Sequence, residues 1–433
     1  MRPRTIAVRK LSIVMASLLV LPASATAAPF APATPVAGFG NQPALAQVGG
    51  AALAASGASV VAGTADSAGN RRAVAAFGDT TSAPAAARGF GPPSGAYDLA
   101  LGANAAGDVA LTFSVGHVAY LTTCHADHCR PTRRVGTSAL KPQSAVAVQP
   151  ATGRTIVVWR GRTTKGANRL KWRITTKGKL GAPHTLGEFG DNPQLATDAS
   201  GKTVAVWLAD RRAKRHGVRT AARRVGEFLA PTSVTRAPAA DLGLVSSDRG
   251  ASVAAWLTAP NGIDPEDPLG TLQVATRTRS TSFGRPQALG SGSTLSLAGS
   301  PDGHAVLATD RHVAATSVVV SAARRLPGQA FGPLADLSPA QFVSDAYGAT
   351  AAVADGGRAL VTWAAGVDPS APAPAGVFAA VADPMGPFGA PQLLADAQTA
   401  TLPQPTAAAI TASSGLVAWA GPQGGQIART GVQ

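Results

Sequence analysis

The apolar positions of the chain fall in short runs of β-branched and aromatic residues, bounded by Gly, Pro, Asp and Ser. In residues 198–207, DASGKTVAVW, Gly201 lies in a turn signal and Val204, Val206 and Trp207 follow it. Glycine adopts turn conformations that other residues resist, and β-branched and aromatic side chains favour buried strands. After residue 27, no 12-residue window combines an apolar face of helical period with helix caps. The pattern therefore predicts an all-β protein.

A glycine followed six residues later by an aromatic residue recurs along the chain. Five copies have this spacing: Gly107 with Phe113, Gly153 with Trp159, Gly201 with Trp207, Gly250 with Trp256 and Gly357 with Trp363. Three weaker copies differ at one position: Gly57 with Gly63, Gly303 with Thr309 and Ser413 with Trp419. The eight strand positions are 46 to 56 residues apart. Such a period indicates copies of one structural unit.

A second marker alternates with the first: Phe-Gly or Leu-Gly, followed within a few residues by proline and then an apolar residue. It begins at Phe39, Phe90, Leu180, Phe283, Phe331 and Phe388, with a variant at Phe228 and a weak copy around Pro131. The order begins with the second marker, at Phe39, and ends with the first, at Trp419. The N-terminal segment can therefore complete the last unit.

Each unit reads as four short strands. In the fourth unit we predict strands at residues 193–197, 203–208 and 218–223 and from Pro231 onward, with a turn at 198–202. Four-stranded meanders of about 50 residues are typical of a β-propeller blade. A strand near Phe39 would close the ring and pair edges that an open array exposes.

We thus predict one β-propeller over residues 28–433, with about eight four-stranded blades. The units span approximately residues 49–95, 96–142, 143–191, 192–239, 240–291, 292–341, 342–398, and 399–433 together with 36–48. Seven blades, with the weak first unit degenerate, is one alternative. An open solenoid or two smaller sheets is another, although solenoids have atypical capping ends and these ends are complementary.

Residues 1–27 have the composition of a secretory signal peptide. Arg2, Arg4, Arg9 and Lys10 precede an apolar stretch at residues 11–21, and an A-x-A sequence follows at 25–27. The apolar stretch is too short to cross a hydrocarbon core of about 30 Å. The expectation is a secreted, extracellular protein that does not span the membrane and acts as a monomer.

The repeats resemble those of secreted bacterial β-propeller proteins, and the likeness covers nearly all of the chain after residue 27. They are loosely similar to sialidase-type and quinoprotein-type propellers. Ala196, Asp198, Gly201, Lys202 and Trp207 echo the tryptophan-docking motif of quinoproteins. The spacing departs from that motif, in which the tryptophan lies four residues after the glycine, and also from the sialidase Asp-box, in which an aromatic lies three residues after it.

The resemblance does not extend to the catalytic residues of either enzyme group. Quinoprotein dehydrogenases hold their cofactor beside adjacent cysteines, whereas the two cysteines here are separated by four residues. Sialidases use a tyrosine nucleophile with a carboxylate and three arginines, and none of Tyr97, Tyr120 and Tyr347 lies near a glutamate in sequence. The resemblance therefore implies the fold and leaves function open, because one fold hosts many functions. We expect no cofactor and no catalytic residues.

Cys124 and Cys129, in TTCHADHCRP, lie where the third strand of the second unit turns into the fourth. In an exported protein, a close pair across a hairpin predicts a disulfide. His125 and His128 lie between them, which raises the alternative of a Cys2His2 metal site. Four ligands within six residues are closer than structural zinc sites allow, so we expect a disulfide and no metal.

The basic residues are concentrated in one part of the chain. The formal net charge is +15, but residues 130–224 contain 21 Lys or Arg against four acids, Glu188, Asp191, Asp198 and Asp210. One arc of the ring is therefore strongly basic, with a net charge of +17, and the rest of the chain after residue 27 is mildly acidic.

The second-to-third-strand loops of the third and fourth units carry many of these charges. The candidate binding residues are Arg160, Arg162, Lys165, Arg169, Arg211, Arg212, Lys214 and Arg215. Loops of one type emerge on the same face of a propeller, and variable loops on a rigid scaffold often bind partners. The equivalent loop of the fifth unit is acidic, with Asp264, Glu266 and Asp267; we interpret it as a solvated loop rather than a calcium site.

Two interpretations of the basic arc remain. It can serve only solubility, or it can dock an anionic partner such as a wall polymer or an acidic polysaccharide. Nucleic acid is a poorer candidate, because five of the six tryptophans occupy the repeated strand position. Trp172 is the exception, either an exposed stacking residue or, as we expect, a further blade contact. We predict a secreted, non-enzymatic binding or scaffold protein; the alternative is a carbohydrate-active hydrolase or lyase that uses the central cavity.

Overall fold

The computed structural model describes most of the chain after residue 29. The described ranges are residues 30–36, 47–53, 58–67, 70–78, 85–92, 95–138, 143–162, 168–187, 190–209, 217–224, 226–258, 270–278, 282–314, 317–342, 346–365, 376–396, 406–421 and 424–431. Within these ranges the strands form eight antiparallel sheets of four or five strands each.

The first described strand, β1 (Thr34–Val36), belongs to the eighth sheet. Blade 1 contains β2 (Gln47–Leu53), β3 (Ser59–Ser67), β4 (Asn70–Gly78) and β5 (Arg88–Phe90). Blade 2 contains β6 (Ala96–Ala103), β7 (Asp108–Val115), β8 (Val118–His125), β9 (His128–Cys129) and β10 (Arg133–Thr137). Blade 3 contains β11 (Ser144–Val148), β12 (Thr155–Arg162), β13 (Asn168–Thr176), β14 (Lys179–Leu180) and β15 (His184–Gly187). Blade 4 contains β16 (Gly190–Thr197), β17 (Thr203–Ala209), β18 (Val218–Arg224), β19 (Glu227–Phe228) and β20 (Thr232–Ser233).

The remaining blades follow the same order. Blade 5 contains β21 (Ala239–Ser246), β22 (Ser252–Thr258), β23 (Gly270–Arg277) and β24 (Gln287–Gly292). Blade 6 contains β25 (Ser296–Gly299), β26 (Ala305–Ala314), β27 (Ser317–Arg325), β28 (Ala335–Asp336) and β29 (Gln341–Phe342). Blade 7 contains β30 (Ala346–Val353), β31 (Ala359–Ala365), β32 (Gly376–Ala382) and β33 (Gln392–Asp396), and blade 8 contains β34 (Ala407–Ile410), β35 (Ser414–Gly421), β36 (Gly424–Gly431) and β1.

The first strand of every blade faces the axis of the ring. These strands, here called a strands, contact one another in sequence from β2 through β6, β11, β16, β21, β25 and β30 to β34, and β34 contacts β2. The ring is therefore closed, and the fold is an eight-bladed β-propeller, which confirms eight blades rather than seven. We call the next two strands of each blade b and c and the outermost strand d.

The N-terminal strand closes the ring, as the order of the markers predicts. Strand β1 pairs antiparallel with β36, and Val36 lies opposite Gly425. The Val36 side chain is 3% exposed and packs in the apolar cluster between blades 8 and 1. The closing strand ends at Val36, and Phe39, where the sequence places it, lies outside the described residues.

The aromatic residue of the first marker packs between blades. Trp207 contacts apolar residues of blade 3, Trp256 those of blade 4 and Trp363 those of blade 6. In each pair the tryptophan packs against the preceding blade, and all three are 1% exposed. Apolar burial is the main stabilising term in folding. The aromatic residue therefore recurs along the chain because it packs between blades.

The turn glycines of the first marker adopt a conformation that a side chain resists. Gly201 has φ of 78° and Gly250 has φ of 80°. These angles lie in the left-handed region, which glycine enters without a Cβ penalty. The recurrence of glycine at this position therefore reflects the geometry of the turn between strands a and b.

The second marker lies at the turn between strands c and d. Phe331 bridges to Arg325 of strand c and Phe388 bridges to Ala382. The next residue donates its backbone N–H to strand c, as from Gly332 to the Arg324 carbonyl at 2.9 Å. Both markers are thus hairpin signals at the same end of the blade.

In blade 2 a disulfide takes the place of this marker. Cys124 of β8 pairs with Cys129 of β9, and the two side chains form a disulfide bond. The predicted disulfide is confirmed, and it engages both thiols that a Cys2His2 site would need. His125 and His128 are exposed, and their Nδ1 atoms contact Asp108 at 3.0 Å and Asp127 at 2.6 Å.

Helix is scarce in the described part of the chain. A 3-10 turn at Asp355–Gly357, between β30 and β31, is the helical element found there. Within the same ranges, no helix has the length and apolar character that crossing a bilayer requires.

Candidate functional site

The ring has two faces that differ in the turns they carry. Because consecutive strands are antiparallel, the a–b and c–d turns emerge on one face, which we call the turn face. The b–c loops and the connections between blades emerge on the other, which we call the loop face. The candidate basic loops of the sequence belong to the loop face.

The structure describes part of this candidate set. Lys165 and the fourth-unit residues Arg211, Arg212, Lys214 and Arg215 lie outside the described residues, as do the acidic loop residues Asp264, Glu266 and Asp267. Arg162 ends strand β12, and Arg169 is exposed in β13. Strands b and c of blade 3 thus extend further than the sequence pattern indicates, which leaves a shorter loop between them.

Arg160 lies at the interface between blades 3 and 4 rather than on an exposed loop. It is part of β12, its side chain is 15% exposed, and its Nη1 forms an ion pair with Asp191 of blade 4. The position is one residue after Trp159, so the side chain points toward the following blade. Arg160 therefore links two blades, a contact that the charge pattern alone could not show.

Exposed basic side chains are instead concentrated at the turn face of blades 2 to 4. Eight described Lys or Arg residues between positions 130 and 224 are exposed: Arg130, Arg133, Arg134, Arg154, Arg169, Lys177, Lys179 and Lys202. The two described acids of this arc are Asp191, which is half-buried, and Asp198, which is buried. In the described part of residues 130–224 the exposed charge is thus mainly positive, although Asp127 and Glu227, at c–d turns just outside these bounds, are exposed acids.

Most of these residues share the turn face. Arg154 and Lys202 follow a–b turns, and Lys177 and Lys179 flank a c–d turn. Arg223, near the end of β18, has its pKa lowered by burial and then by the nearby charge of Arg154. The basic arc is therefore continuous from blade 3 to blade 4 on this face.

Trp172 does not provide an exposed stacking platform. Its side chain is 2% exposed, stacks on His184 with ring centroids 4.7 Å apart and meets Phe228 of blade 4 edge-on. The guanidinium of Arg223 lies 5.5 Å from its ring centroid. The expected blade contact is confirmed. Trp172 is therefore not exposed for stacking on nucleic-acid bases.

Carboxyl groups lie at the loop-face ends of two a strands, where the sequence could not place them. Asp98 lies at the start of β6 with φ of 51°, and Asp241 occupies the equivalent place in β21 with φ of 47°. Asp98 Oδ2 accepts hydrogen bonds from the Ser144 N–H of blade 3 at 2.7 Å and the Ser144 hydroxyl at 3.3 Å. Asp98 therefore links blade 2 to blade 3.

Burial dominates the protonation of these carboxyl groups. It raises the pKa of Asp98 to about 6, against the opposing hydrogen bonds of Ser144 and the charge of Arg160. Burial likewise raises the pKa of Asp241 and of Asp310. A carboxyl group with a raised pKa can act as an acid, but it can equally be a structural tie that tolerates its neutral form.

A second set of ties links blades across the turn face. Gln149 Nε2 donates to the Gly201 carbonyl at 2.7 Å, and the Asp248 N–H donates to the Pro301 carbonyl at 2.7 Å. The Gly356 N–H donates to Asp302 Oδ2 at 2.6 Å. Hydrogen bonds thus join blades 3 to 4, 5 to 6 and 6 to 7 at this end of the a strands.

Between blades 4 and 5 the turn face contains a polar cavity of about 290 Å³. Its charged lining consists of Asp198, Lys202 and Arg223 of blade 4 and Asp248, Arg249 and Arg277 of blade 5. Sequence analysis missed this cavity, because Arg249 and Arg277 lie beyond the basic arc. The available signal was positional: Lys202 and Arg249 occupy equivalent a–b turns of adjacent blades.

Comparisons with known proteins find distant structural likenesses only. No protein-family model matches the chain, and no curated protein matches it. A protein of unknown function from Dyadobacter fermentans is 12% identical with a TM-score of 0.42, covering 78% of this chain and 95% of its own. A polysaccharide lyase, an ulvan lyase, is 11% identical with a TM-score of 0.45, covering 75% and 90%.

A fungal lectin from Aleuria aurantia, described as a six-bladed β-propeller, is also similar. It is 10% identical with a TM-score of 0.39, covering 67% of this chain and 96% of its own. At these values the likenesses carry no argument about ligand or activity. What the coordinates establish is an eight-bladed β-propeller with a basic turn face.

Proposed function

We propose that this propeller is a secreted, non-enzymatic binding protein that docks an anionic extracellular polymer on the basic arc of blades 2 to 4. The observation that carries the proposal is the eight exposed basic side chains between residues 130 and 224, where the two described acids are partly or fully buried. Positive charges on a rigid surface attract a polyanion, and its bound counterions are released when it docks.

Rigidity makes this surface suitable for binding. Arg154, Lys177, Lys179 and Lys202 lie on tight turns between paired strands, so their backbone positions are fixed before a partner arrives. A preorganised surface loses less conformational entropy on binding. Several weak, solvent-screened contacts on a repeating polymer then add to a useful affinity.

The test uses dextran sulfate and polyglutamate as probes, with affinity measured by fluorescence anisotropy over a range of NaCl concentrations. The Lys177→Gln/Lys179→Gln variant should bind about tenfold more weakly at low salt and show a shallower salt dependence. The matched control is Arg88→Gln/Arg236→Gln, which removes two exposed charges outside the arc and should bind as the parent does. If the parent binds neither polymer at low salt, the proposal is wrong.

Arg211, Arg212, Lys214 and Arg215, which the sequence places between the second and third strands of the fourth unit, are a second part of the same proposal. Replacing all four by glutamine should also weaken salt-sensitive binding. Comparing this variant with Lys177→Gln/Lys179→Gln tells which face the polymer uses. Equal binding by the parent and the loop variant would restrict the contact to the turn face.

One observation favours the alternative, a carbohydrate-active enzyme. Burial raises the pKa of Asp98 and of its neighbour Tyr97, and the charge of Arg160 acts on both groups. General acids have such raised pKa values. A screen for products released from acidic polysaccharides, with Asp98→Asn as the inactive control, tests this function; product release by the parent that the variant lacks would establish it.

A further inference from the structure

The cavity between blades 4 and 5 has a composition that differs from the rest of the turn face. Four cationic side chains line it, Lys202, Arg223, Arg249 and Arg277, together with the carboxylates of Asp198 and Asp248. The formal charge of this lining is therefore +2. The cavity combines exposed charges, on Lys202 and Arg249, with the buried Arg277 and Asp198.

One of the two carboxylates is engaged by its own turn. Asp198 is 6% exposed, and its Oδ1 accepts hydrogen bonds from the Ser200 hydroxyl at 2.6 Å and the Lys202 N–H at 3.0 Å. A Cβ built on Gly250 would lie 3.1 Å from Asp198 Oδ2, so this carboxylate fills the junction of the two blades. Asp198 therefore forms part of the cavity wall, and these hydrogen bonds are to groups of its own turn rather than to the cationic side chains.

The second carboxylate is held in unfavourable surroundings for a negative charge. Burial raises the pKa of Asp248, and the charges of Asp355 and Asp198 raise it further. Its backbone N–H is bonded to the Pro301 carbonyl, which fixes the turn that carries it. Even with both carboxylates ionised, the lining has an excess of cationic side chains.

One arginine of the cavity lies deep enough to act in a reduced dielectric. Arg277 is 7% exposed, so its interaction with an anion is screened less by water than that of a surface charge. Arg223 also lines the cavity, but its guanidinium lies over the Trp172 ring of blade 3.

We propose that this cavity binds a doubly charged tetrahedral oxyanion, namely phosphate or a phosphate monoester. The inference rests on the proposed function in one respect: such a group would be an end or side group of the polymer on the same face. Guanidinium groups form paired hydrogen bonds with phosphate oxygens, and the cationic side chains in the lining outnumber the carboxylates. A volume of about 290 Å³ admits one such group with a small attached unit.

Calorimetric titration tests the site, with inorganic phosphate and glucose 6-phosphate as probes and acetate as the monoanionic comparison, at fixed ionic strength. The parent should bind both phosphates more tightly than acetate. Preference for glucose 6-phosphate would indicate an ester ligand, and preference for inorganic phosphate a free ion. Absence of phosphate binding by the parent overturns the inference.

The variants separate binding from folding. Arg249→Gln and Lys202→Gln alter exposed side chains and should each weaken phosphate binding about tenfold. Asp248→Asn removes a negative charge and should tighten it about threefold or more, a gain that misfolding cannot produce. Arg285→Gln, an exposed residue outside the cavity, is the charge-matched control and should bind as the parent does.

The two proposals fail in different ways. Binding of dextran sulfate without phosphate binding overturns the cavity and leaves the polymer surface. Phosphate binding without polymer binding overturns the polymer surface and leaves the cavity as a phosphate site. If Arg285→Gln weakens phosphate binding as much as Arg249→Gln, the effect is one of general charge and the cavity is not the site.

Discussion

Replacing Asp98 by asparagine tests how burial of this carboxyl group affects the stability of the fold as a function of pH. The pKa of Asp98 is raised from 3.8 to about 6, chiefly by burial. The folded protein therefore binds this proton more tightly than the unfolded chain does. Asparagine removes the titration, and it tolerates the left-handed φ of 51° at this position.

The sign and size of the stability change follow from proton linkage. Because the folded state holds the extra proton between pH 3.8 and about 6, wild-type stability falls as pH rises through that window and is constant above it. The full loss corresponds to about 3 kcal/mol, of which about 1.4 kcal/mol falls between pH 5 and pH 7.5. Asp98→Asn should avoid this loss and be about 1 to 3 kcal/mol more stable than wild type at pH 7.5.

Urea denaturation at pH 5 and pH 7.5, followed by tryptophan fluorescence, measures the difference. The stability advantage of Asp98→Asn should grow between the two pH values. The control is Asp336→Asn: burial opposes ionisation there, but hydrogen bonds from Arg311 and Ser321 outweigh it and lower the pKa of Asp336. The stability difference between this variant and wild type should not change between pH 5 and pH 7.5. A pH-independent difference for Asp98→Asn would refute the reasoning.

Three further predictions concern the packing of the ring, each measured by the change in free energy of unfolding in urea. Trp363→Ala should cost about 3 to 5 kcal/mol, but Trp363→Phe only about 1 kcal/mol, because the buried indole N–H has no hydrogen-bond partner; equal costs would contradict this account. The Cys124→Ser/Cys129→Ser variant should lose about 2 kcal/mol, from the small loop that the disulfide closes, and unchanged stability would show that the hairpin holds without it. Val36→Asp should cost about 3 kcal/mol or more by burying a carboxylate in the last interface, whereas Thr34→Asp, exposed on the same strand, should cost little; equal effects would argue against ring closure by β1.

Period and composition of the sequence determined the architecture. Gly201 and Trp207, repeated in one register, predict a turn and a buried strand position, and both predictions are confirmed. The complementary markers at the two ends predict ring closure by an N-terminal strand. These inferences succeed because strand formation, turn geometry and burial depend on residues close together in the chain.

Only the tertiary structure decided which charged side chains contact one another. Arg160 carries the same charge as its loop neighbours in the sequence, yet it is bound to Asp191, 31 residues away. Arg249 and Arg277 lie outside the basic arc but share a cavity with Lys202 and Arg223. Asp98 looks like any aspartate until burial beside Ser144 raises its pKa. The interaction of charged groups depends on distance and desolvation across blade interfaces, and neither quantity is encoded in local sequence.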